Sequence, residues 1–284
     1  MQIMIDDKTF EVEVLKAQKN SDDKCPIVIL HGFPDKAHSW FKIGEHFQSL
    51  GHDVIIPTLR GYYPSYSPEE IDLYDLDFLA SDIAGILQNL KVEKVILIGH
   101  DWGGMLAWHF THLNPSRVIK IVTISVPHPI LFRNAIMKNP KQWLNSWYIF
   151  FFKFPFVAEN FLARNNFRNL KGALRSGCKE RIFSKEENAE FVKSWHSKEQ
   201  LSRMISWYRA LKLSFNIKKY QEYSGPALQI IGDSDRYFVL DSFKTECPLV
   251  KKLKTSELKN CGHWPHFEKR HELQAILTQF TNEN

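Results

Sequence analysis

The 284-residue sequence has few of the features that mark secreted, membrane-spanning or metal-binding proteins. Its start has no basic stretch followed by a long apolar one, so no signal peptide is expected. The longest aromatic run, Trp147 to Phe152, is too short to span a bilayer. The cysteines show no CxxC pair and no metal-ligand spacing with histidine: Cys25, Cys178, Cys247 and Cys261. Reduced thiols and a cytoplasmic protein without a transmembrane segment are therefore expected.

A strong charge of one sign is also missing. The formal net charge is +5, from 37 Lys and Arg against 32 Asp and Glu. The basic residues are scattered, with only short runs such as Lys218-Lys219 and Lys251-Lys252. This pattern is typical of a solvated basic surface and does not indicate a nucleic-acid partner.

A tight turn at residues 99–103, Gly-His-Asp-Trp-Gly, is the most informative feature that is present. It follows the apolar run Val95 to Ile98, which predicts a buried parallel strand, and it precedes a predicted helix from Gly103 to Leu113. Such a strand-to-helix turn between glycines is a nucleophile elbow. Asp101 stands where most enzymes with this turn have serine. The alternative is an ordinary glycine-rich loop with an N-capping aspartate.

An aspartate nucleophile restricts the chemistry. A carboxylate that attacks carbon forms an alkyl ester, not the acyl ester of a serine enzyme. The substrate must then offer an electrophilic sp³ carbon with a leaving group. An epoxide or a carbon–halogen bond meets this requirement.

The order of predicted elements indicates an α/β fold. Strand-like and helix-like segments alternate up to Val126 and return after Ala227, which predicts a mostly parallel central sheet with helices on both faces. From 128 to 223 only helix-like segments are found. We therefore expect a core of residues 1–127 and 224–284 and an all-helical cap of residues 128–223 over the carboxyl ends of the strands. The aromatic cluster Trp147 to Phe156 is expected to pack inside this cap rather than touch a membrane.

Three further motifs fit the elbow. His31-Gly-Phe-Pro follows a predicted strand, so the backbone N–H groups of Phe33 and Trp102 are expected to form an oxyanion hole. Asp235, in Gly232-Asp-Ser-Asp, is the expected acid, with Asp233 as the alternative. His263, in Cys261-Gly-His, is the expected base, because its loop lets the ring reach the elbow. Of the other histidines near these motifs, His266 is expected at the surface or in a helix cap. His31 and His100 are expected to be structural residues.

These motifs together resemble the soluble epoxide hydrolases of the α/β-hydrolase superfamily, over almost the whole chain. The resemblance implies that two cap tyrosines donate hydrogen bonds to the epoxide oxygen. Tyr148 occupies the first place, upstream of the segment 155–159 (Pro-Phe-Val-Ala-Glu), and Tyr208 the second, in Trp-Tyr-Arg. Phe33, Trp102 and Trp264 would line the substrate pocket with them. One departure, Tyr63-Pro64 where the family commonly has Gly-x, should reshape that loop and alter the substrate scope.

The resemblance implies an apolar epoxide and water as reactants, a vicinal diol as product, and neither a metal ion nor an organic cofactor. The base must be neutral to act, so activity should fall on acidification through the histidine's pKa. Two alternatives use the same fold: a haloalkane dehalogenase with the same Asp–His pair, and a ligand-binding homologue with little catalysis. A haloacetate dehalogenase would need an arginine where Trp102 stands. The epoxide's identity and the oligomeric state are not readable from the sequence.

Overall fold

Eight strands form a single sheet. The computed structural model describes residues 1–17, 24–180, 183–212, 219–243 and 246–283. The strands are β1 (Gln2–Ile5), β2 (Lys8–Leu15), β3 (Ile27–Leu30), β4 (Val54–Pro57), β5 (Val95–His100), β6 (Val118–Ile124), β7 (Tyr223–Gly232) and β8 (Val250–Leu258). They lie in the order β1-β2-β4-β3-β5-β6-β7-β8.

The sheet is parallel except at one edge. β1 pairs with β2, and β2 with β4, in antiparallel fashion, whereas all later pairs are parallel. Every residue of β5 is buried, which explains why this strand is a continuous apolar run. Its register places Gly99 opposite Leu30, so the loops that follow β3 and β5 lie side by side. The predicted mostly parallel sheet is confirmed.

Helices cover both faces of this sheet. They are α1 (Phe41–Ser49), α2 (Leu76–Asn89), α3 (Trp102–Leu113), α10 (Pro265–Glu268) and α11 (Arg270–Asn282). On one face, Ile43 of α1 and Leu273 of α11 join the apolar cluster that contains Ile98. On the other face, Leu106 of α3 joins the cluster that contains Leu97. Neighbouring residues of β5 thus point into opposite clusters, as the period of a strand requires.

A helical segment lies between β6 and β7. Its described residues form α4 (Pro129–Lys138), α5 (Pro140–Asn145), α6 (Trp147–Phe151), α7 (Val157–Ser176), α8 (Lys185–Trp195) and α9 (Lys198–Ala210). We propose that this segment is the cap expected over 128–223, and we use that name below. β7 begins at Tyr223, earlier than the expected Ala227, because a register irregularity before Pro226 hides the strand period.

Three buried indole groups tie the cap to the core loops. In each pair the indole N–H donates to a backbone carbonyl: Trp195 to Pro34 (2.7 Å), Trp207 to Arg60 (2.9 Å) and Trp264 to Leu174 (3.0 Å). These buried hydrogen bonds fix the cap against the loops of the core. All four cysteines are free thiols. In the described residues, no helix combines the length and apolarity needed to cross a membrane.

Candidate active site

Asp101 lies at the sharp turn between β5 and α3. Its φ of 50° and ψ of −120° are unusual for a residue with a side chain, and such strain is typical of a functional turn. The turn needs glycines beside it. A Cβ atom on Gly103 would lie 2.2 Å from the Leu30 carbonyl oxygen, and one on Gly99 would lie 2.4 Å from that of Gly103. The expected elbow geometry is therefore present, and it directs the Asp101 carboxylate away from the sheet edge.

The ring of His263 lies between two carboxylates. Its Nδ1 is 2.9 Å from Oδ2 of Asp235, and its Nε2 is 3.6 Å from Oδ2 of Asp101. Asp235 is fixed in turn, because its Oδ1 accepts the backbone N–H groups of Tyr237 (2.8 Å) and Phe238 (3.2 Å). The structure thus brings together the nucleophile, base and acid that the sequence predicts.

The alternative acid lies elsewhere. The Asp233 side chain is on the exposed side of the same loop, where it accepts from the Ser234 hydroxyl (2.9 Å) and the Cys261 N–H (3.3 Å). These contacts stabilise the turn that carries His263, which is the role expected for the carboxylate that does not pair with the histidine.

The expectation for His266 is wrong. His266 is only 2% exposed, stacks on Trp40 with ring centroids 4.1 Å apart, and places Nε2 3.1 Å from Oδ2 of Asp35. The start of α10 faces the core rather than solvent, and a motif that shows only loop and helix start cannot reveal this. His31 and His100 are structural, as expected: His31 accepts the Leu59 N–H, and His100 donates to the His263 carbonyl oxygen.

The two neighbouring carboxylates determine the charge state of His263. Burial by itself would lower the pKa of this imidazolium, but the charges and contacts of Asp235 and Asp101 outweigh burial and raise the pKa to about 10. In the free protein His263 is therefore a cation at neutral pH, held between two carboxylates.

Backbone donors face the Asp101 carboxylate. The N–H of Phe33 donates to Asp101 Oδ1 at 3.0 Å. Trp102 is the first residue of α3, and the first N–H groups of a helix have no acceptor within it. Both predicted oxyanion-hole residues thus flank Asp101.

A cavity of about 320 Å³ opens above Asp101. Tyr148 of α6 and Tyr208 of α9 line it together with Asp101, His263 and Phe33, and their ring centroids are 5.8 Å apart. Burial, followed by the charge of Asp101, raises the pKa of both hydroxyls well above the usual range, so both stay protonated. The two cap tyrosines and Asp101 therefore line one largely apolar cavity.

The two tryptophans expected in the pocket differ. Trp264 lines this cavity, although its N–H is already used by the Leu174 carbonyl. Trp102 instead borders a small adjoining space of about 20 Å³, which Asp101 and Tyr208 also line.

Tyr237 is a cavity residue that the sequence analysis missed. Its ring lies 4.7 Å from that of His263 and 5.5 Å from that of Tyr148, measured between centroids. Its hydroxyl donates to the Ala173 carbonyl at 3.1 Å. The sequence signal that could have identified it is its position two residues after Asp235. The loop that places Asp235 beside His263 also brings Tyr237 close to His263.

A second buried Asp–His cluster lies behind the first. Asp35, His100 and His266 have ligand atoms within 4.8 Å of one another, close enough to hold a metal ion. Asp35 also accepts from the Trp40 indole N–H at 3.0 Å. Although burial opposes ionisation, His266 lowers the pKa of the Asp35 carboxyl. The Asp35 carboxylate is thus already held by His266 and Trp40, and we propose no metal there.

Comparison with known proteins agrees with this geometry. A family model described as the alpha/beta hydrolase fold matches residues 26–270. The AB hydrolase superfamily protein YfhM of Bacillus subtilis is 33% identical over 266 residues, which cover 93% of this chain and 91% of that protein. Human epoxide hydrolase 4 is 30% identical over 90% of this chain and 72% of its own length. Bacillus megaterium epoxide hydrolase, solved with an inhibitor, has a TM-score of 0.89 and 26% identity over all of both chains.

The fold and the elbow thus define an α/β hydrolase with an aspartate at the nucleophile position. The chain belongs to the α/β-hydrolase superfamily, and its similarity to the epoxide hydrolases of that superfamily confirms the resemblance drawn from its motifs.

Proposed function

We propose that this protein hydrolyses apolar epoxides to vicinal diols with Asp101 as the nucleophile. One observation carries the proposal: the Asp101 carboxylate, the His263 ring and the rings of Tyr148 and Tyr208 all line one cavity. The names of the relatives and of the superimposable Bacillus megaterium structure support the same reaction class. The cavity's aromatic walls favour an apolar substrate.

The first step forms an ester. Oδ1 of Asp101 is held by the Phe33 N–H, so Oδ2 is the free oxygen that attacks a ring carbon of the epoxide. The carbon–oxygen bond of the ring breaks, and its electron pair goes to the epoxide oxygen. That oxygen takes a proton from Tyr148 or Tyr208. A phenol donates well to an alkoxide, which is a far stronger base.

The second step uses the change in charge that the first step produces. Once Asp101 is an ester, it no longer contributes the negative charge that helps to raise the pKa of His263. The imidazolium then loses its proton, which replaces the one that the tyrosine gave to the epoxide oxygen. The neutral imidazole, still held by Asp235, removes a proton from water, and the hydroxide attacks the ester carbonyl.

The oxyanion of that attack develops on Oδ1. The Phe33 N–H already donates to this oxygen, and the Trp102 N–H at the start of α3 is the second donor. One such donor contributes about 3 kcal/mol to transition-state stabilisation. The tetrahedral intermediate then collapses as the bond between its carbon and Oδ2 breaks. Oδ2 leaves with the diol and takes the proton that remains on the added water oxygen, and that oxygen stays on Asp101 as part of the restored carboxylate.

Turnover of an epoxide panel tests the proposal. Epoxides of graded length and aromatic content are incubated with the wild type, and diol formation is measured by chromatography with Asp101→Asn as the blank. Haloalkanes of matching size are assayed for halide release in parallel. We expect diol and no halide. Halide release without diol would establish the dehalogenase alternative, and ligand-induced thermal stabilisation without either product would establish a binding protein.

A further inference from the structure

The rim of the active-site cavity carries a band of exposed apolar side chains. We call this band the aromatic patch. It extends over α5, α6 and the start of α7, and its members are 43–74% exposed: Trp143, Leu144, Trp147, Phe150, Phe154, Phe156, Val157 and Phe161. Single exposed apolar residues are ordinary, but a contiguous set of this size marks an interaction surface. The expectation that the cluster packs inside the cap therefore holds for only part of it.

The same segment is divided into an inner and an outer face. Ile149 and Phe152 are buried against the core, whereas Phe150, Phe154 and Phe156 point outward. Phe156 is 74% exposed although its φ is 64°, a backbone conformation that is costly for a bulky side chain. The unusual backbone conformation thus belongs to a residue whose large apolar side chain is mostly exposed.

The charge around the patch has one sign. From Pro129 to Ser176, eight Lys and Arg stand against a single acidic residue, which leaves 29 against 31 in the rest of the sequence. That acidic residue, Glu159, is buried and paired with Arg209 at 2.8 Å. Among the residues that the structure describes, none forms an ion pair with the exposed basic residues of this segment: Lys138, Lys141, Arg164 and Arg168.

We propose that the aromatic patch docks on the surface of an anionic lipid bilayer. Aromatic side chains enter the headgroup region, and unpaired lysine and arginine side chains attract acidic lipid headgroups. The charge argues against a second copy of the chain as the occupant, because two such patches would bring like charges together. The helices α5 and α6 are too short to span a bilayer. Among the described residues, α7 included, no helix is both long and apolar enough to do so, and the contact would therefore be interfacial.

The patch is continuous with the active-site cavity. Leu144, Trp147 and Phe161 belong to the patch and also line the cavity that contains Asp101. An apolar substrate dissolved in the bilayer could thus enter the cavity without crossing water. This consequence rests on the proposed function, whereas docking itself does not.

Vesicle flotation of the full-length protein tests docking directly. The vesicles contain phosphatidylcholine alone or phosphatidylcholine mixed with phosphatidylserine. We expect binding to the mixed vesicles, weakened by salt, and a blue shift of tryptophan fluorescence. The triple variant Trp143→Ser, Phe154→Ser, Phe156→Asn should reduce the bound fraction about tenfold, because interfacial binding scales with buried apolar area. Asparagine is chosen at 156 because it tolerates positive φ.

A matched control alters exposed apolar residues far from the patch. Met4→Ser combined with Ile119→Thr removes two such side chains from the sheet region and should leave flotation unchanged. None of the three patch positions lines the cavity, so the triple variant should hydrolyse a water-soluble epoxide at the wild-type rate. That rate separates failure of docking from failure of the proposed function, and thermal unfolding of each variant checks that it is folded.

Two results would overturn the proposal. The first is wild-type protein that does not float with the mixed vesicles, or that floats no better than the triple variant does. The second is a concentration-dependent dimer in light scattering that the triple variant abolishes, together with no flotation, which would assign the patch to a second copy of the chain.

Discussion

Two buried Asp–His pairs lie on either side of His100 in this protein, and only one of them lines the described 320 Å³ cavity. Asp101 and His263 face the cavity, with 3.6 Å between their nearest atoms, while Asp35 and His266 lie closer, at 3.1 Å, with both side chains fully shielded. The rings of His263 and His266 are 5.0 and 5.1 Å from that of His100. The residue types are the same, so the open space above Asp101 is what distinguishes the proposed catalytic pair from the enclosed pair.

The surroundings of the Asp35 and Asp101 carboxylates also differ, with Asp35 enclosed and Asp101 open to the cavity. The Asp35 carboxylate contacts both His266 and the Trp40 indole through one oxygen, so it is fixed within the core. Asp101 has one oxygen held by the Phe33 N–H, while the other faces His263 and the cavity. A carboxylate with one fixed and one accessible oxygen is suited to attack, and one enclosed by its partners is suited to stabilise the fold.

Neutralising Asp101 should have the largest effect on activity. Asp101→Asn removes the nucleophile, so kcat/KM for epoxide hydrolysis should fall at least about 10³-fold. Its thermal unfolding should stay close to that of the wild type. Steady-state kinetics and calorimetry measure both. A variant that retains a tenth or more of the activity would show that another group attacks the epoxide.

Neutralising Asp35 should reverse this pattern. Asp35→Asn removes the buried carboxylate that holds both the His266 ring and the Trp40 indole N–H, and it should lower the free energy of unfolding by about 3 kcal/mol. Denaturant unfolding measures the loss, and Asp233→Asn, at an exposed carboxylate in a turn, is the control with a change below about 0.5 kcal/mol. Activity below the unfolding transition should remain near the wild-type value. A large loss of activity in a stable Asp35→Asn protein would mean that the second cluster takes part in catalysis.

The tyrosines provide the next test, because Tyr148 and Tyr208 line the cavity that contains Asp101 and His263. Tyr148→Phe and Tyr208→Phe should each reduce ester formation by about 10²-fold, since each removes a proton donor to the epoxide oxygen. Stopped-flow tryptophan fluorescence follows that step. Tyr237→Phe is the matched control, because this cavity tyrosine donates its hydroxyl to the Ala173 carbonyl. Equal losses in all three variants would point to cavity shape rather than proton donation.

The pH dependence gives the smallest expected effect. Hydrolysis of the ester needs neutral His263, so its rate should fall about tenfold for each pH unit below the pKa that His263 has in the ester. Ester formation should not show this decrease. Single-turnover kinetics separate the two steps, and parallel pH profiles for both would contradict the account.

The same histidine affects stability. In the free protein the pKa of His263 is raised to about 10, so its contribution to the free energy of unfolding is complete below the pKa of an unfolded histidine and is lost as the pH rises towards 10.

Much of the fold and of the first cluster could be predicted from local patterns. The apolar run of β5 and the glycines around Asp101 are tied to a tight turn by steric contact, so the sequence shows them directly. The spacing within Gly232-Asp-Ser-Asp was enough to favour Asp235 over Asp233. The resemblance to a known family supplied Tyr148 and Tyr208, which no local pattern would have indicated.

The remaining features depend on contacts between distant segments. The burial of His266 follows from its stacking on Trp40, more than 200 residues earlier in the chain. The charge of His263 depends on two carboxylates that come together only in the folded chain. The outward direction of Phe150 and Phe154 was also unreadable, because an aromatic run does not show which of its faces the core covers.

Trapping the covalent intermediate tests the central claim most directly. His263→Gln removes the base but leaves Asp101, so exposure to a styrene oxide-type substrate should produce a stable ester. Intact-protein mass spectrometry should show an increase equal to the mass of the epoxide, and peptide mapping should place the adduct on Asp101. The double variant Asp101→Asn, His263→Gln should show none. A His263→Gln protein that never gains this mass, or that carries it on another residue, would contradict the account.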